Sequence, residues 1–202
     1  MGEELSIIRG EGKRHLYWGV FFLLLQILVI VRNLSTDYFS FFWYCDFAPA
    51  LFALLFFWRN EQAVKGLISI GFFMQLAYTL IIIVKLIFDV TLFGFVINFP
   101  LEAVYVVPTL IIHSGTMLAL VTTYKTKPTK ESLAYSLGFL VFIYALVLLF
   151  TDPATTPAGN YNFIYFPQLF NDFSLYTEIW VGIAFVLVAI PTYLFQLFVW
   201  FV

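Results

Sequence analysis

Apolar residues run in long blocks along this chain, and most polar positions fall between the blocks. A helix that crosses the hydrocarbon of a bilayer needs ~20 such residues. Six stretches fit, at 16–31, 39–58, 64–88, 103–124, 133–150 and 175–201. They predict an all-α fold in one domain, a polytopic integral membrane bundle of six transmembrane helices. The third and sixth stretches are long and predict tilt or extension past the lipid. Residues 90–100 are apolar but too short to span, and read as a re-entrant or interfacial piece.

Composition points the same way. Apolar residues make up 62% of the chain and charged residues 11%, about half the share of a soluble domain. A net charge of −2 excludes nucleic acid as a partner, because nothing could neutralise a run of phosphates. The expected partners are membrane lipids. Arg9, Lys13, Arg14, Arg59, Lys65, Lys125, Lys127 and Lys130 fall on one side of the alternating spans, and only Arg32 and Lys85 fall on the other. The positive-inside rule therefore puts both termini in the cytoplasm. The location expected is a multi-pass position in a membrane, the plasma membrane if the source is prokaryotic. The polar, acidic start lacks a small-residue cleavage site and reads as leading into a retained helix.

The side with few cations carries a loop at 151–174 in which prolines interrupt a run of Tyr and Phe. It reads either as an anchor at headgroup depth or as a lid over the bundle mouth. Asn33-Leu34-Ser35 is a glycosylation sequon on that side, close to the end of the first span.

Ionisable groups inside a membrane are costly and call for a reason. Asp46, Lys85, His113 and Glu178 all fall at or above mid-membrane on the outer side, from four different helices. That predicts one polar cavity opening outward, with Ser114, Tyr44 and Tyr78 as supporting groups. Each member has a plainer reading. Cys45 alone is a soft packing residue. His113 alone is a hydrogen-bonded core histidine, and Lys85 and Glu178 alone snorkel to the headgroups. Asp46 is too short to snorkel and needs a partner, with Lys85, His113 or a hydroxyl as candidates.

Together, Cys45 and His113 suggest nucleophilic catalysis. A thiol in apolar surroundings holds its proton, and a neighbouring imidazole can remove it and later return it to a leaving group. Asp46 or Ser114 would orient the imidazole, and Tyr44, Tyr78 or Lys85 would face the oxyanion. Pro49 and Pro108 each free a carbonyl four residues earlier, those of Cys45 and Val104, and predict kinks beside both candidates. The chain has no GxSxG, HExxH or phosphate-binding glycine loop. With one Cys and two His, no metal site and no cofactor are expected.

Trp43-Tyr44-Cys45-Asp46, with the apolar run to Arg59-Asn60, resembles the Cys-Asp helix of YwaF-like membrane proteins, relatives of the transmembrane protein 164 acyltransferase. His113-Ser114-Gly115, followed by the basic loop 125–130, resembles the His helix of that group. Asn160-Tyr161-Asn162-Phe163 with Pro167 resembles its aromatic loop. A more distant likeness is to the androgen-induced protein 1 hydrolases, which use Thr and His. The chain departs from bacterial members at Phe42-Trp43-Tyr44, where those carry a further histidine. The resemblance implies a lipid acyltransferase or acyl-ester hydrolase with Cys45 as nucleophile and His113 as base. The alternative expectation is a small-solute transporter or receptor whose cavity is lined by Asp46, Lys85, His113 and Glu178.

Overall fold

A computed structural model describes residues 2–35, 41–90, 103–151, 164 and 175–202, with the side chains of residues 2–12, 35 and 103–105 left aside. Most of the apolar 90–100 segment and of the aromatic 151–174 loop lies outside the described residues. Those described are helical, without strands. The elements are α1 (Gly2–Ser35), α2 (Tyr44–Phe57), α3 (Glu61–Phe88), α4 (Ala103–Thr123), α5 (Lys130–Phe150), α6 (Tyr176–Ala184), a π-helical turn (Phe185–Ala189) and α7 (Ile190–Phe201). The last three form one continuous rod, Tyr176–Phe201.

Five helices are long and apolar enough to cross a membrane, and α2 is a shorter apolar helix of 14 residues. This is a multi-pass membrane protein. Strongly apolar side chains such as Leu24, Leu149 and Phe201 face outward, as hydrocarbon allows and water does not. The expected span at 39–58 is corrected at its start. The α-helix begins only at Tyr44, so Cys45 and Asp46 lie in its first turn. At 1.5 Å per residue α2 is about 21 Å long, well short of a ~30 Å hydrocarbon core.

Helix α3 is the axis of the bundle and packs against α2, α4, α5 and the final rod. Its run from Ala63 to Phe72 is buried without interruption. Two glycines allow this closeness. A Cβ on Gly66 would sit 2.7 Å from the carbonyl oxygen of Ser132 on α5, and Ser136 Oγ donates to Gly66 O at 3.1 Å. The Tyr44 ring lies where a Cβ on Gly71 would be. Phe22 of α1 fits between Phe52 and Phe56 of α2, with ring centroids 5.0 and 5.5 Å apart.

Arg14 of α1, the start of α3 and the α4–α5 connection meet at one end, here called the basic end, where Lys127 Nζ also lies 4.8 Å from the centroid of the Trp200 ring on α7. Arg14 Nη2 donates to Glu61 Oε1 at 2.5 Å, and Gln62 Nε2 donates to Lys127 O at 2.9 Å. Lys65, counted above among the cations of that side, lies in the second turn of α3 and is buried. From α7, Gln196 Nε2 donates to Lys65 O at 3.1 Å and to Ser69 Oγ at 2.7 Å. Pro191 has no N–H for the carbonyl of Leu187, and the wider π turn just before it accommodates that lost rung.

Candidate functional site

The site is built on the first turn of α2. Pro49 interrupts the hydrogen-bond ladder there. Gln26 of α1 reaches across the weakened turn. Its Nε2 donates to Asp46 O at 3.0 Å, and its Oε1 accepts from Ala50 N–H at 3.0 Å. The amide thus stands in for the rung that would join Asp46 and Ala50 directly. A side chain from the neighbouring helix thus braces the turn that contains Pro49.

Asp46 finds its partner on α1. Arg32 Nη2 donates to both carboxylate oxygens, each at 2.6 Å. Asn33 Nδ2 donates to Oδ2 at 3.0 Å, and Asn33 Oδ1 accepts from Arg32 Nε at 3.0 Å. The Asp46 side chain is 1% exposed and that of Arg32 15%. This corrects the expected pairing of Asp46 with Lys85, His113 or a hydroxyl. It also corrects the reading of Arg32 as a plain outer-side cation. The Asn33 amide, buried and bonded to Asp46, is not presented as a glycosylation acceptor.

Cys45 Sγ donates to Asp46 Oδ1 at 3.4 Å, and the residue is partly buried. His113 lies in the middle of α4. Its Nδ1 is 2.8 Å from Thr109 O. A carbonyl oxygen only accepts, so Nδ1 carries a proton, and in the neutral ring Nε2 keeps the lone pair. Thr109, rather than Asp46 or Ser114, therefore orients the ring. Ser114 Oγ donates to Ile111 O at 2.8 Å within its own helix. The Tyr78 ring of α3 stacks on His113 with centroids 4.5 Å apart. Arg32 and Asp46 both lie within electrostatic reach of Cys45, Tyr78 and His113, and Cys45 lies within reach of Tyr78. Arg32, Asn33, Asp46 and Cys45 thus form one polar nest on α1 and α2, and the Tyr78–His113 stack on α3 and α4 forms a second group within its electrostatic reach. Among the described contacts, the Cys45 thiol and the His113 imidazole are not hydrogen bonded to each other.

The remaining expected members stand apart. Lys85 pairs with Asp89, one turn further along at the end of α3, and its ammonium holds the exposed Asp89 carboxyl below the usual carboxylate range. Glu178 is exposed on α6. Tyr44 is at the site, but its hydroxyl donates to Leu67 O at 2.7 Å. The four-residue wall of Asp46, Lys85, His113 and Glu178 is therefore not assembled, and Tyr44 serves as an anchor to α3. Arg32, Asn33 and Thr109 are the members that the sequence reading missed. A signal for the first two was present: a short connection between antiparallel helices sets their adjoining ends side by side.

No metal-binding group of three or more His, Cys, Asp or Glu occurs among the described residues. No family model, curated protein or solved structure matches the chain.

Proposed function

We propose that this chain is a membrane-embedded enzyme that cleaves or transfers the acyl group of a lipid ester, with Cys45 as nucleophile and His113 as base. The observation that carries the reading is the state of His113. Its Nδ1–H is fixed by the Thr109 carbonyl, which leaves Nε2 as a proton acceptor, and both this ring and the chain's single thiol lie within electrostatic reach of the Arg32–Asp46 pair. A general base needs that tautomer and that company.

Nε2 takes the thiol proton, directly or through one water, from the position where it now points at Asp46. The thiolate adds to the ester carbonyl, and a C–S bond forms. The C–O bond breaks, and the imidazolium proton leaves with the alcohol as a lysolipid. Water or a lipid hydroxyl then adds to the thioester and gives its proton to Nε2, and the thiolate departs. Arg32 and Asn33 occupy both oxygens of the Asp46 carboxylate beside the thiol. Tyr78, stacked on the imidazole and within electrostatic reach of Cys45, is the candidate donor to the oxyanion.

In the same reading the chain crosses the membrane six times, α2 included, with both ends in the cytoplasm. Gln26, which bridges to Asp46, stands about 18 Å along α1 from Arg14 at the basic end. In a ~30 Å core that puts the thiol roughly 10 Å below the opposite surface, near lipid ester carbonyls. The plasma membrane is the location if the source is prokaryotic.

The test uses the purified chain in vesicles of a phospholipid labelled in one acyl chain. Cys45→Ala and His113→Ala are each expected to reduce acyl release and transfer to background, with unchanged expression and elution profile. The wild-type chain should carry label that hydroxylamine removes. Full turnover in either variant would end the mechanism.

A further inference from the structure

A second feature lies on the other side of α2. Between α2 and α5 there is a cavity of about 170 Å³, and every residue that lines it is apolar. Phe47, Ala50 and Leu51 form its α2 wall, and Phe142 and Leu146 belong to its α5 wall. At 100° per residue those three α2 positions share a face, and Cys45 points roughly opposite. The cavity is therefore separate from the nest around Asp46. Phe42, which also lines it, stacks on Phe150 at the end of α5 with centroids 6.4 Å apart.

Two physical points decide what fills it. An apolar void of this size gives water no hydrogen bonds, so it stays dry and takes up hydrocarbon. An empty void also forfeits the dispersion contacts of its whole lining. Neighbouring positions on α5 are exposed and apolar, Val141, Leu148 and Leu149 among them. Helix α5 is one of the membrane-crossing helices, so the medium that meets those positions is made of acyl chains.

We infer that a fatty-acyl chain of a membrane phospholipid occupies the α2–α5 cavity as a resident lipid, seated against the back of the helix that carries Cys45. The inference does not depend on the chemistry proposed at Cys45. The occupant wedges the short α2 against α5 through Phe47, Ala50 and Leu51, and so supports from the α5 side the turn that Gln26 braces from α1.

The test is photolabelling of the full chain in phosphatidylcholine vesicles. The probe is a phosphatidylcholine with a diazirine midway along one acyl chain, and labelled peptides are mapped. Label is expected at Phe47–Leu51 and Phe142–Leu146 several-fold above that at Leu148 and Leu149, which face bulk lipid on the same α5. Ala50→Trp, which fills the cavity from α2, and Leu146→Trp, which fills it from α5, should each remove the excess and leave the Leu148–Leu149 label unchanged. Cys45→Ala should label as the wild type does. Equal labelling of lining and bulk-facing positions overturns the inference. So does excess label that persists in whichever filled variant folds, or labelling by a diazirine fatty acid with none by the phospholipid.

Discussion

Helix α1 makes two arginine–carboxylate junctions, and they differ in almost everything except composition. At the basic end, Glu61 accepts from Arg14 at 2.5 Å, lies 3.1 Å from His15 Nε2, and accepts from the Thr126 hydroxyl. At the other, Asp46 accepts from Arg32 and Asn33. The side chains of Arg14 and Glu61 are 35% and 17% exposed, those of Arg32 and Asp46 15% and 1%. Water and salt compete for the first pair, so it clasps three segments together at low cost and with low gain. The second pair has little water to fall back on. Its members hold each other, and each would be strongly disfavoured alone. The lesson concerns placement. The polar nest near Cys45 depends on a constraint that cannot be half removed, whereas the basic end tolerates losses.

Breaking the buried pair should have the largest effect. Arg32→Met leaves Asp46 as an unpaired buried carboxylate and is expected to cost about 3–5 kcal/mol, read by thermal unfolding in detergent. The double change Arg32→Met with Asp46→Leu should recover most of that loss. A neutral single variant would mean that Asp46 is not isolated from water. Next comes Gln26→Leu, which keeps the volume but removes both bonds across the Pro49 turn. About 1–3 kcal/mol should go with them, and maleimide should reach Cys45 faster as the first turn of α2 loosens. An unchanged alkylation rate would show that the turn holds without Gln26. Arg14→Ala should matter least, at about 0–1 kcal/mol. That small loss should shrink further near 1 M salt, where screening acts within ~3 Å. A cost equal to that of Arg32→Met would erase the contrast between the two ends.

Much of the architecture was readable from the chain, for a physical reason. A bilayer imposes a length on apolar helices, so α4 at Ala103–Thr123 and α5 at Lys130–Phe150 fall within a few residues of the expected spans. The late start of α2 was not readable, because residues 39–43 are as apolar as the helix that follows. The candidate site was legible in part. Asp46 announced itself as a buried charge, and Cys45 and His113 as polar groups at similar depth. Their partners did not, since Arg32 looks like any cation at a helix end until α2 packs back along α1. The pairing of Lys85 with Asp89 has the i, i+4 spacing of a helical ion pair, yet hydropathy alone favours the reading of an intramembrane lysine. The role of Gln26 needed three dimensions, because a side chain that replaces a rung in a different helix leaves no local pattern.

The π turn at Phe185–Ala189 bears on how the final rod can change over time. A wide turn holds one residue more than an α-helical turn, and each added residue advances the azimuth of everything after it by ~100°. Thr192 and Gln196 are buried on the downstream side, while Val186 and Leu187 look outward. The phase of that half is thus fixed by a single surplus residue rather than by the stretch before it. For a lineage carrying this rod, substitution at the outward Val186 or Leu187 is a mild event, but deletion of one position is a rotation of the whole tail.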